Sequence, residues 1–137
     1  MKFRDEYHKT LFPIIMQKMR SKDVYHQSVA YLIALDDVCR KHVEEIFDFR
    51  ESVIRTASLD KAWQTGTSKK TVRLAFNLWN GWDTDGESYT DNNGYENSLP
   101  SCYYTVDNIF CCPYAPYYWE AVKIRYPEYA GTDDDWE

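Results

Sequence analysis

Cys39 and His42 stand at i and i+3, a spacing that puts a thiol and an imidazole on one side of a helix. With Cys111 and Cys112 they make four donors for a structural metal ion, zinc first. Adjacent cysteines are not the spaced pair that zinc sites use, and cysteines on a core-facing stripe pack as small apolar groups. The spacing weighs toward packing, so no metal is expected at these four residues. A second set is acidic. Asp83, Asp85, Glu87 and Asp91 fall at positions 1, 3, 5 and 9 of a calcium loop. Position 6 is then Ser88 where the turn needs glycine, and position 12 is Gly94 where a bidentate glutamate belongs. An EF-hand is not supported.

Catalytic groups are sparse. His8 follows Asp5, and His42 precedes Glu45, but both pairs serve equally well as surface decoration of a helix. There is no Gly-x-Ser-x-Gly string, no Ser-His-Asp pattern and no phosphate loop. A nucleophile, a base and an orienting group that converge cannot be assembled from the sequence. The chain reads as a binder rather than an enzyme, with no cofactor.

The stronger signal is charge. The 137 residues carry 16 Lys+Arg and 22 Asp+Glu, a formal net charge of −6. Residues 1–73 carry +4, residues 74–122 carry −7, and residues 123–137 carry −3. The middle block is 49 residues without one basic side chain. Like charges grouped in this way repel unless the fold or a partner offsets them. So acidic a surface argues against direct binding of nucleic acid, which needs a basic footprint. Twelve residues of the same block are aromatic, among them Phe76, Trp79, Trp82, Tyr89, Tyr103 and Tyr104. Some must be core, and the rest suit a small-molecule pocket or a protein-binding surface.

The elements that position these groups are mostly helical. The organising stretch is Thr67–Trp82, where Val72, Ala75, Phe76 and Trp79 form one helix face widened by Leu74 and Leu78. Arg73, Asn77 and Asn80 make a polar row beside it, and Thr67 or Ser68 is the expected cap. Before it, Asp5 caps a helix to about Arg20, with a kink or break at Pro13. Val24–Leu35 is apolar nearly all round, as a central buried helix is. Asp36 and Asp37 open a further helix to about Phe47. Residues 48–57 read as irregular, and Ser58 is expected to cap a short helix ending at Gly66.

After the organising helix comes a long acidic excursion, 83–101, with a hairpin closed by Asn93-Gly94 as one outcome. Thr105–Phe110 fits one helical turn, and Pro116 opens a last helix to Arg125 before Pro127. The tail, 130–137, is acidic and expected to be frayed. The expected fold is mainly α: a single compact domain, 1–137, of five or six helices with an acidic loop or small hairpin insertion. No apolar run spans a membrane and the start has no secretory character, so a cytoplasmic protein is expected.

Several strings together resemble a domain-of-unknown-function family of small proteins from Gram-positive bacteria and their phages. They are Phe3-Arg4-Asp5 with His8, Ala62-Trp63-Gln64-Thr65-Gly66-Thr67, Ala75-Phe76-Asn77-Leu78-Trp79-Asn80, Phe110-Cys111-Cys112, Tyr114-Ala115-Pro116-Tyr117-Tyr118-Trp119 and Arg125-Tyr126-Pro127. The acidic excursion is longer here than the family's connection. The resemblance implies a phage or mobile-element setting, where small proteins inhibit host defence.

The functional expectation is a non-catalytic binder that inhibits a host immune protein through an acidic, aromatic surface. Its expected binding residues are Arg73, Asn77, Trp82, Asp83, Asp85, Glu87, Tyr89, Tyr103, Tyr104 and Tyr117. An alternative is a sponge for a small nucleotide-type immune signal. There Trp82, Tyr103, Tyr104 or Tyr117 would stack a base, and Arg73, Lys69 or Lys70 would hold a phosphate. The other alternative is a structural metal-binding domain. Arg73 carries one sharper expectation: the excursion starts at the end of its helix and can fold back, so Arg73 should pair with an acidic-loop carboxylate.

Overall fold

The apolar string Val24–Leu35 becomes helix α2, and nine of its twelve residues are buried. Asp23 caps it by accepting the His26 N–H. In the computed structural model, which describes residues 1–131, the other elements are laid around this helix. Six α-helices and two antiparallel hairpins make up the mainly α domain among the described residues. The expectation for the tail, 130–137, falls outside them from position 132 onward.

Helix α1 (Glu6–Lys18) starts at Asp5, whose carboxylate accepts the His8 N–H. Of the kink or break expected at Pro13, the break is absent: the helix runs through it. Pro13 forfeits the bond to the Lys9 carbonyl, but Ile15 and Met16 on the next turn are buried and anchor the segment in the core.

The single helix expected from Asp37 to Phe47 is divided. A 3-10 turn spans Cys39–Lys41 and helix α3 spans Val43–Ile46, with His42 between them at φ −133 and ψ 36. Side chains impose the division. Asp36 Oδ1 accepts the N–H groups of Val38 and Cys39 at 2.8 and 2.9 Å. The Arg40 guanidinium folds back to the carbonyls of Ala34 and Leu35, at 2.8 and 3.1 Å from Nη2. These bonds close the C-terminus of α2 and bend the next turn.

Residues 47–54 form a small hairpin, β1 (Phe47–Asp48) against β2 (Val53–Ile54). The short helix expected after Ser58 is replaced by a 3-10 segment, Thr56–Asp60, with Ser58 inside it. The Lys61 N–H closes the segment on the Ser58 carbonyl at 3.2 Å, and the Gln64 side chain donates to the same oxygen at 3.0 Å.

Helix α4 (Gly66–Asn80) is the organising helix. Its cap is Thr65, two residues before Thr67 and three before Ser68. Thr65 Oγ1 accepts the Ser68 N–H at 3.0 Å, and Ser68 Oγ accepts the Thr65 N–H at 2.7 Å, a reciprocal capping box. Val72, Leu74, Ala75, Phe76 and Leu78 are buried, as the stripe predicts. Helices α2 and α4 feed two apolar clusters. One joins Ile33 and Phe76 to Ile15 and Phe47. The other joins Leu32 and Leu78 to Ile109 of α5 (Val106–Phe110) and Tyr118 of α6 (Ala115–Arg125).

Candidate functional site

The site is built from the end of α4. Gly81 takes φ +79, the left-handed conformation that stops a helix and that favours glycine. Its N–H bonds to the Asn77 carbonyl at 2.8 Å. The Asn77 side chain donates to the Trp82 carbonyl at 3.2 Å, and the Trp82 N–H donates to Asn80 Oδ1 at 3.1 Å. The polar row of α4 thus turns the chain back along the helix.

The turn delivers Asp85 to Arg73. Arg73 Nε lies 3.2 Å from Asp85 Oδ1 and Nη2 lies 3.0 Å from Oδ2, a two-pronged pair. The Tyr103 ring covers the guanidinium at 4.8 Å, with Tyr104 at 5.9 Å. Ser101 Oγ donates to Asp85 Oδ2 at 3.0 Å, and its N–H donates to the Asp83 carbonyl at 2.8 Å. Tyr104 donates its hydroxyl to the Thr84 carbonyl at 3.1 Å. Burial first, and the nearby Asp85 charge second, hold that hydroxyl well above the ordinary tyrosine range. Incoming and outgoing strands of the excursion are therefore tied together at its base.

Above that base rises the hairpin, β3 (Ser88–Thr90) against β4 (Glu96–Ser98), with Tyr89 opposite Asn97. Asn93-Gly94 lies in its turn, Gly94 at φ +82. Asp91 organises that turn, accepting from the Asn93 N–H, the Tyr95 N–H and Asn97 Nδ2 at 2.9, 3.0 and 3.0 Å. The Asn97 bond leads in holding the Asp91 carboxyl below its usual range, so the carboxylate stays charged. Tyr89, Tyr95 and Tyr103 are 51, 70 and 54% exposed.

Of the expected binding residues, Arg73, Asn77, Asp85 and Tyr104 hold the excursion in place, while Asp83, Glu87, Tyr89 and Tyr103 lie on its exposed surface. Trp82 is half-buried against the core. Tyr117 packs elsewhere, beside Lys2 and His8. Lys70 Nζ donates to the Asn108 carbonyl. An anion seeking Arg73 would have to displace Asp85.

The calcium-loop residues diverge, since Asp85 serves Arg73 and Asp91 serves the hairpin turn. Among the described residues no three His, Cys, Asp or Glu side chains converge on a metal position. Cys39 is buried and donates to the Ser68 carbonyl at 3.8 Å; burial pushes its thiol well above the ordinary range. His42 stacks on Trp63 at 4.1 Å with Glu45 2.8 Å from its Nδ1. The division at His42 separates the thiol and imidazole that a continuous helix would have aligned. His8 is buried, with Nε2 2.9 Å from the Tyr31 carbonyl and Nδ1 accepting the Arg4 N–H at 3.1 Å.

Sequence reasoning missed Thr84 and Ser101 as the ties of the excursion. Both are small polar residues in a long loop, and no periodicity marks them.

The sequence matches the profile of a family of unknown function (DUF6075) over residues 1–137. The chain belongs to that family. No curated protein and no solved structure matches it. Among the described residues no helix is long and apolar enough to cross a membrane.

Proposed function

We propose that the surface from Trp82 to Tyr104 binds a basic face of a partner protein and acts by occupying it. One observation carries this reading. Of the seven carboxylates in the basic-free run 74–122, Asp85 alone has a cationic partner among the described residues. The fold spends its one adjacent arginine on anchoring the hairpin and leaves Asp83, Glu87, Asp91 and Glu96 uncompensated around exposed tyrosines. Such a surface attracts a cationic partner over distance, and Tyr anchors supply the contact. The binding surface itself performs no chemistry.

The setting follows from the resemblance given above. In a phage or mobile element acting in the bacterial cytoplasm, the partner would be a host defence protein that handles nucleic acid, and the acidic hairpin would fill its basic groove. A photo-crosslinking amino acid placed at Tyr89 tests this in host extract, with the 81% exposed Tyr129 as the control position. Crosslinking of a basic protein from position 89 and not from 129 is expected. Crosslinking from 129 alone would contradict the proposal.

A further inference from the structure

Away from the acidic surface, three side chains from two separated segments meet at the start of α2. Asp23 Oδ1, which caps the helix, lies 2.7 Å from His26 Nδ1. A carboxylate only accepts, so in the neutral imidazole the proton sits on Nδ1 and Nε2 is the acceptor. Ser52 Oγ lies 2.6 Å from that Nε2 and donates to it. The order is carboxylate, imidazole, hydroxyl, in the tautomer that lets a serine surrender its proton.

The surroundings hold this arrangement. His26 is 7% exposed and sits edge-on to Trp79, with ring centroids 4.8 Å apart, and to Phe47 at 6.1 Å. Ser52 lies at the end of the turn between β1 and β2. Asp48 Oδ1 accepts the N–H groups of Arg50 and Glu51 there, both at 3.0 Å, and Arg20 donates to the Arg50 carbonyl at 2.9 Å. Ser52 adopts φ +57 and is the one non-glycine residue with positive φ among the described residues. That conformation closes the hairpin loop and fixes the direction in which the Ser52 side chain leaves the backbone. Ser52 is also partly exposed, while its base stays packed.

We propose that Ser52 and His26, with Asp23 as the positioning residue, form an acyl-transfer site that hydrolyses activated carboxylic esters. Ser52 Oγ attacks the carbonyl carbon, forming the Oγ–C bond as its proton passes to His26 Nε2. The bond from that carbon to the leaving oxygen breaks, and the leaving group takes the proton from Nε2 and departs as an alcohol or phenol. Water then adds to the acyl-serine with His26 again taking the proton. The acid is released and Ser52 regains its hydrogen. Water is the only co-reactant. Activated esters suit such a site, because a good leaving group lowers the barrier that an oxyanion hole would otherwise have to lower.

The site is independent of the acidic surface, and its test does not depend on a partner. The full chain is treated with a fluorophosphonate probe, which loses fluoride to a serine nucleophile, and the adduct is mapped by mass spectrometry. Initial hydrolysis of p-nitrophenyl acetate is followed in parallel. The expected result is one adduct on Ser52, absent in Ser52→Ala and in Ser52→Gly, which relieves the backbone strain. Asp23→Asn keeps a good helix cap and should keep the fold, checked by circular dichroism, while slowing labelling about tenfold or more. His26→Gln, checked for folding by circular dichroism, should slow it at least as much. No adduct on Ser52 while a control serine hydrolase labels fully would overturn the proposal. So would labelling of Ser52 at the same rate in Asp23→Asn and His26→Gln.

Discussion

Arg73 and Asp85 meet as a fork, two nitrogens against two oxygens at 3.2 and 3.0 Å, and the Tyr103 ring closes over the pair. The side chains are 12 and 24% exposed, so the pair is neither fully screened nor dry. It joins the third turn of α4 to an excursion whose base is otherwise tied by Ser101 to Asp83 and Asp85 and by the Tyr104 hydroxyl on the Thr84 carbonyl.

Removing one partner should therefore loosen the excursion without unfolding the core. Arg73→Ala is expected to cost about 1–2 kcal/mol, between the values for exposed and buried pairs. Hydrogen exchange and proteolysis should rise across residues 83–101, with α2 and the buried side of α4 still protected. Unchanged protection in the excursion would reduce Arg73 to an ordinary surface arginine.

The existence of this pair was legible in the sequence, because Arg73 is the last cation before the acidic run and the run begins one turn after its helix. Which carboxylate it takes was not, since that depends on Asn77 and Gly81 bending the chain back by a set amount. The stripe of α4 and the apolar girth of α2 were legible for the same reason: periodicity is a local property that burial then rewards. The division at His42 was hidden. It arises from Asp36 and Arg40 making backbone bonds that compete with the helix, and spacing alone does not show which bonds win. Ser52 and His26 were hidden more deeply, 26 residues apart on elements brought together only by tertiary packing.

His8 should make the protein acid-sensitive. Burial, helped by the charges of Arg40 and Arg4, pulls its pKa down from 6.5 to about 4, against the Tyr31 carbonyl that favours the proton. The folded state thus binds fewer protons than the unfolded chain between these values. Stability from this group is whole above pH 6.5 and is lost as pH falls through about 4. The loss is on the order of 3 kcal/mol. An NMR titration should place the His8 imidazole near pH 4; titration near 6.5 would contradict the buried neutral ring.

The capping box identifies Thr65, rather than Thr67, as the start of α4. Thr65→Ala should lower stability by about 1 kcal/mol in urea titration, and Thr67→Ala by no more than about 0.5 kcal/mol. Equal losses at the two positions would mean that the helix begins elsewhere.

The most direct test of the acidic surface is capture from host extract by the immobilised protein, at about 0.05 M and about 0.3 M salt. The paired chain is the double variant Asp83→Lys, Glu87→Lys, because neither side chain takes part in the hydrogen bonds that fold the excursion, unlike Asp85 and Asp91. The account predicts a basic partner captured at low salt, weakened at higher salt and lost in the variant, with the circular dichroism of both chains identical. Equal capture by the two chains at both salt concentrations would contradict it.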